Sequence, residues 1–290
     1  MFRRFTKGTL FALATMVATA AAQTVNVSPV GSPTVSGRGL LRAVERITAP
    51  SATNPWLVKM EPGIYDLGDE ALMMRPFVDI EGSGQGVTTV TSAGVNTVIA
   101  ASDAEIRELT IRNTSPHSPA PPEDCPLLSR DCYAVLVDTG VDAKITNAAI
   151  HTTNGTYPLR VKDGATVEVD GGSITCAISC QGVQVDLGAA ATLGDTTIRA
   201  LDTGSLGIQA SGTVNVTNST IDVEFIALQV GGTANVYHSI LRAASVAVFF
   251  PGEVNIGASQ IVLSDALFNG TCVASYDGDF NLLGPNCAPL

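Results

Sequence analysis

The stretch Asp142-Ala-Lys-Ile-Thr-Asn-Ala-Ala-Ile150 returns as Thr166-Val-Glu-Val-Asp-Gly-Gly-Ser-Ile174, Ala190-Ala-Thr-Leu-Gly-Asp-Thr-Thr-Ile198, Thr213-Val-Asn-Val-Thr-Asn-Ser-Thr-Ile221, Thr233-Ala-Asn-Val-Tyr-His-Ser-Ile-Leu241 and Glu253-Val-Asn-Ile-Gly-Ala-Ser-Gln-Ile261. Each copy closes on an aliphatic residue, and five positions earlier stands another: Ile145, Val169, Leu193, Val216, Val236 and Ile256. Two further apolar columns precede these, Val135/Val137, Leu159/Val161, Val183/Val185, Ile208/Ala210, Leu228/Val230 and Val248/Phe250. The closing residues are 24, 24, 23, 20 and 20 positions apart. Self-similarity at such a period marks a stack of like units rather than one globular core.

Within each unit the apolar residues recur at every second position, which makes the units strands and not helix pairs. Successive units then pair through parallel backbone ladders, about 4.8 Å apart. A coil of two or three short strands, stacked on its own copies, is the rung of a parallel β-helix whose aliphatic ladders are the whole core. The expected fold is therefore all-β, a single solenoid of about nine or ten rungs.

Composition agrees: 290 residues, 45% apolar but only 5% aromatic, with 28 Gly and one Trp. Residues 1–22 read as a secretory signal, with Arg3, Arg4 and Lys7 ahead of a short apolar run and Ala20-Ala21-Ala22 before Gln23. The apolar run is too short to span a bilayer, and no other segment could. The expected location is secreted, periplasmic or at the cell surface. The net charge is −11, and without the three leader cations 13 basic residues face 27 acidic ones. Such an acidic chain argues against nucleic acid or anionic lipid as a partner. It also disfavours a polyanionic sugar, unless a basic patch or bound Ca²⁺ offsets the field. Six cysteines in a secreted chain suggest bridges, and their order proposes Cys125–Cys132, Cys176–Cys180 and Cys272–Cys287, with a metal site as the rival reading.

Along the chain, residues 23–36 read as an aperiodic leader or tether, and the β-helix domain as 37–290. Leu40, Leu41, Val44 and Ile47 fall at helical spacing with Arg42, Glu45 and Arg46 opposite, so a helix is expected over 39–48, covering the open end of the stack. Rungs are expected over 56–268, and a bridged closure over 270–290. The interval 113–132 carries His117, five prolines, Glu123 and Asp124, and reads as a loop thrown outward, either functional or merely a disulfide-tied decoration.

Val58-Lys-Met-Glu-Pro-Gly-Ile-Tyr65, followed by Pro76-Phe-Val-Asp-Ile-Glu-Gly-Ser-Gly84 and Thr88-Thr-Val90, resembles the opening rungs of the pectin lyase-like superfamily, most of all pectinesterases and their secreted bacterial relatives. The resemblance covers residues 56–90. It implies a right-handed helix, in keeping with the general preference for right-handed crossovers. It does not bring a catalytic set. The superfamily's pectinesterases gather two Asp, a Gln and an Arg from two segments, of which 132–138 and 223–226 here are distant echoes whose residues cannot be carried over. Polygalacturonase segments are absent. Among lyase-like arrangements the nearest is Arg160 with Asp138 and Asp163.

Inward positions being aliphatic, function is expected on the outward faces. Between the two inward residues of each first strand stand Leu136, Arg160, Gln184, Gln209, Gln229 and Phe249, and just before them Ala134, Pro158, Gly182, Gly207, Ala227 and Ala247. A row of small residues beside a row of Arg and Gln makes a shallow polar groove suited to an extended glycan, with Tyr133 and Tyr157 near Arg160. The bland alternative is a stabilising ladder of stacked glutamine amides. Asp138, Asp163 and Asp186 align as turn formers, with Ca²⁺ binding as the alternative; otherwise no cofactor and no metal is expected. His238 shares a column with Asn147, Gly171, Asp195 and Asn218, residues that tolerate left-handed φ, which makes it a turn residue and not a base. The leading function is a non-catalytic protein that binds polysaccharide or another cell-surface component. The alternatives are a diverged pectinesterase or uronate lyase, and a purely architectural spacer.

Overall fold

The structure, a computed structural model, describes residues 21–115, 132–153, 157–177, 180–200, 202–249, 251–263, 270–288 and 290. Residues 1–20 of the proposed signal at 1–22, residues 116–131 of the outward loop at 113–132, with Cys125, and Phe250 lie outside the described residues.

The chain winds into a right-handed parallel β-helix with three sheet faces. The first face is an eight-stranded sheet running from Leu72–Met73 through Asn96–Ile99, Tyr133–Val137, Tyr157–Val161, Gln181–Val185, Leu206–Ala210 and Ile226–Val230 to Ser245–Val248. Eight complete turns are fewer than the repeat count suggested, because the rungs at both ends lack this face. The second face stacks Val25, Val58, Ile80, Ile106, Ile145, Val169, Leu193, Val216, Val236, Ile256 and Cys272 in one register column. The third stacks Tyr65, Val90, Ile111, Ile150, Ile174, Ile198, Ile221, Leu241 and Ile261. Nearly all of these side chains are buried in one continuous core.

The column at the corner between the second and third faces turns through left-handed backbone. Asn147, Asp195, Asn218 and His238 have φ of 47° to 52°, and Gly171 has φ 74°. His238 is thus a corner residue, and the next rung uses Ala258 there at φ 48°. After each of the later corners comes a buried hydroxyl. Ser219, Ser239 and Ser259 accept the backbone N–H of the preceding rung at 3.0–3.1 Å. Each also donates to the carbonyl two residues before it, at 2.7–2.8 Å. This stack satisfies backbone donors that the bend takes out of the ladder.

Both ends depart from expectation. Residues 23–36 are not a tether: Gln23–Val27 is a strand paired in parallel with Trp56–Met60, placing Val25 and Val27 inward. The alternation Thr24-Val25-Asn26-Val27 carries that signal. The helix spans Pro33–Glu45, earlier than 39–48, because Ser32 caps it by accepting the Val35 N–H and Pro33 sits in the first turn. Its Gly37 lies so close to the next strand that an added Cβ would be 2.0 Å from the Asp66 carbonyl oxygen. Leu40, Val44 and Ile47 cover the open core. Below them the buried Tyr65 hydroxyl donates to Val27 and Glu61 carbonyls, and burial with the nearby Glu61 charge pushes its pKa up to about 12. At the far end Cys272–Cys287 closes the tail, and Cys176–Cys180 ties a rung of the first face. Cys132 is also disulfide-bonded.

Candidate functional site on the first face

The first face brings Leu136, Arg160, Gln184, Gln209 and Gln229 into a single outward row, rung by rung. The sixth member is Ala247 rather than Phe249: the last strand pairs Gln229 with Ala247 after a one-residue shift of register between Ile226 and Gln229, and its Val246 is buried.

The small-residue row does not floor a groove. Ala134 and Ala227 are fully buried in the core. A Cβ on Gly182 would lie 2.9 Å from the Ile198 methyl, and one on Gly207 would lie 2.6 Å from that of Ile221, each also colliding with the next rung's carbonyl. These positions are small because the third face's isoleucines and the neighbouring backbone fill the space. Tyr133 and Tyr157 belong to a separate outer cluster with Leu136, packed against Ile99.

Arg160 is the fixed point of the row. Its Nε and Nη2 reach Asp186 Oδ2 at 3.0 and 2.9 Å, and Nη1 donates to the Tyr133 hydroxyl. The guanidinium also sits 5.3 Å from the Tyr133 ring centroid, and that ring stacks on Tyr157 at 5.8 Å. Burial disfavours the cation, but Asp186 and Tyr133 outweigh it and hold the proton more firmly than usual. Gln184 Nε2 donates to the other oxygen, Asp186 Oδ1, at 3.1 Å. That bond fixes the amide orientation and leaves Gln184 Oε1 buried with no hydrogen bond. Tyr133 and Tyr157 are 2% and 5% exposed, which makes them supports for Arg160 rather than surfaces for a ligand.

Gln209 and Gln229 stack next in register and are half-buried. No hydrogen bond joins Gln184, Gln209 and Gln229 among the described residues, so the expected glutamine ladder is not formed. An amide ladder exists elsewhere: on the second face Asn235 Nδ2 donates to Asn215 at 2.9 Å and Asn255 Nδ2 to Asn235 at 3.1 Å.

The acids are also rearranged. Asp138 and Asp186 share a register position with Lys162, not with Asp163, because Val137 pairs with Val161 and Val161 with Val185. Lys162 meets Asp138 at 3.1 Å. The Asp138 carboxyl is held below its usual range by the Thr139 N–H and Lys162. Arg160 therefore works with Asp186, not with Asp138 and Asp163. Among the described residues no His, Cys, Asp and Glu cluster is placed to hold a metal ion, and no helix is long and apolar enough to cross a membrane.

No protein-family profile matches the chain, and no curated protein matches it. Solved structures similar to it include pectin methylesterase from Yersinia enterocolitica, 12% identical over 87% of this chain and 93% of that one, with a TM-score of 0.49. Pectin methylesterase PemA from Erwinia chrysanthemi is 13% identical over 93% and 94%, with a TM-score of 0.43. Rice weevil pectin methyl esterase is 12% identical over 96% and 86%, with a TM-score of 0.44. At these values the chemistry has to be judged from this chain's own residues.

Proposed function

We propose that this is a secreted or periplasmic protein that binds carbohydrate along its first face without turning it over. The observation that carries the reading is the row itself. Arg160 and Gln184 are pinned on Asp186, and beyond them Gln209 and Gln229 have no hydrogen bond among the described residues and stand at rung spacing. Amides repeated at rung spacing on a rigid sheet suit hydroxyl-rich polymers, since each offers a donor and an acceptor. Among the described residues the Arg160–Gln184 cluster holds one carboxylate, Asp186, with both oxygens already engaged, which favours binding over turnover. Acid–base work on a glycan ordinarily needs two carboxylates with separate roles. Cys176–Cys180 and Cys272–Cys287 favour an oxidising compartment.

Calorimetry against a panel of neutral and uronic oligosaccharides tests this. Binding by the protein that falls at least tenfold in Gln209→Ala/Gln229→Ala supports the face; equal affinity in that variant removes it. A second reading, an enzyme acting on pectin-like polymers, is favoured by the meeting of Arg160, Asp186 and Gln184 in one cluster. Methanol release from methylated pectin, or unsaturated product from polygalacturonate with or without Ca²⁺, decides for it.

A further inference from the structure

We infer that the two ends of the solenoid are complementary, and that the helix-capped end receives the 276–282 turn of a second copy so that molecules join head to tail. Strand Gln23–Val27 is paired only with Trp56–Met60 among the described residues. Its Gln23 and Val27 bond toward residues 55 and 61, which turns the backbone of the exposed Thr24 and Asn26 to an open edge. Natural proteins rarely leave such an edge bare.

Between that edge and the helix lies a groove of about 550 Å³. Val25, Ala43 and Ile47 give it an apolar floor, and its charged lining is cationic, Arg42 and Arg46. Trp56 also lines it, its indole Nε1 buried and without a hydrogen bond among the described residues. A groove of donors on a chain with 27 acidic and 16 basic residues selects an occupant with carboxylates and an apolar tip.

The opposite end presents one. Asp277 locks the turn by accepting the Asp279 and Asn281 N–H groups at 2.9 and 2.8 Å and the Asn281 side-chain amide at 2.9 Å. Phe280 is held at φ 64° and left 73% exposed, with Leu282 44% exposed behind it. A bulky residue in left-handed backbone costs free energy, and the Asp277 bonds that hold the turn fix Phe280 there with its ring outward. The last strand's edge is itself occupied, since the Cys272 N–H donates to the Pro285 carbonyl. The turn, and not an added strand, is therefore what enters the groove. Because the two surfaces differ, the contact is heterologous and repeats into open rods.

Sedimentation and small-angle scattering of the purified protein over a concentration series test this. The expected result is mass rising with concentration in particles that lengthen without thickening. Arg42→Glu/Arg46→Glu spoils one end and Phe280→Ser the other, with Asp279→Lys as a second variant at the turn; each is expected to stay monomeric with an unchanged circular dichroism spectrum. Mixing a groove variant with a turn variant restores one good contact, so dimers form and growth stops at two. A wild type that is monomeric at its highest soluble concentration, single variants that still assemble, or a mixture that stays monomeric would each overturn the inference.

Discussion

Near the helix-capped end the outward side of the second face is joined by charges, and further along the same columns it is joined by amides. In the early rungs Arg107 reaches Asp79 at 3.2 Å, Glu105 at 2.6 Å and Glu81 at 2.9 Å, while Lys59 meets Glu81 at 3.1 Å. The register carries Glu105 through Lys144, Glu168 and Thr192 to Asn215, Asn235 and Asn255. The difference teaches what a stack permits. A charge repeated at rung spacing repels its copy, so the early rungs depend on one cation serving three carboxylates. An amide is donor and acceptor at once and can follow itself indefinitely.

The comparison breaks most sharply at its hub. Arg107→Met takes the cation from Asp79 and leaves Glu81 and Glu105 with only Lys59 at 3.1 Å and Lys144 at 3.9 Å. Losing one partner of a fully buried pair costs about 3–5 kcal/mol; here the groups are a fifth to a third exposed, so about 2–3 kcal/mol is expected at pH 7. Urea unfolding at unchanged m-value measures it. The loss shrinks in acid, where the orphaned carboxylates take up protons.

Acid alone separates the two regions next. Burial raises the Glu81 carboxyl, but Arg107 and Lys59 outweigh it and hold it below its ordinary 4.5. A lowered folded value means the unfolded chain binds the proton first. The stabilisation is therefore complete above about pH 4.5 and is lost as pH falls through the folded value. Hydrogen exchange compared at pH 7 and pH 4, corrected for intrinsic rates, is expected to show Val78–Glu81 and Ala104–Arg107 losing protection while Thr213–Thr217 and Thr233–Tyr237 keep theirs. Uniform loss along the rod would mean the charges do not act locally.

The amide column was harder to read in the sequence than the core beneath it. Aliphatic columns are legible because strand alternation sends every second residue inward, and a one-residue slip would expose them all. The closing isoleucines therefore gave the register outright. Outward columns carry no such constraint: Gln184, Gln209 and Gln229 fit a ladder as well as a groove, yet Gln184 bonds Asp186 instead, while the ladder forms at Asn215, Asn235 and Asn255. The Arg160–Asp186 pair was hidden because aligning the acids put Asp163 opposite Asp138, one residue away from Lys162, which the register places there. Alanine and glycine before each first strand were ambiguous for another reason. Smallness reports a close neighbour without saying on which side it lies, and here it was the core. The first strand was missed because five residues are too few for period alone to stand out beside Pro and Gly.

Within the amide column, Asn235 is the residue to change, since it donates to Asn215 and accepts from Asn255. Asn235→Ala removes both bonds at a half-buried site where water can partly replace them, so about 1 kcal/mol is expected, equal at pH 7 and pH 4. Asn235→Asp is the finer test. The carboxylate still accepts from Asn255 but meets the Asn215 oxygen without a donor, so the ionised form is disfavoured and the folded pKa is raised. A raised folded value places the full bond below the unfolded pKa and loses it as pH climbs. The variant should thus trail wild type by about 0.5–1 kcal/mol at pH 7 and approach it at pH 3, the reverse of the trend in the charged rungs. A constant deficit at both pH values would mean that the Asn215–Asn235 bond adds nothing beyond packing.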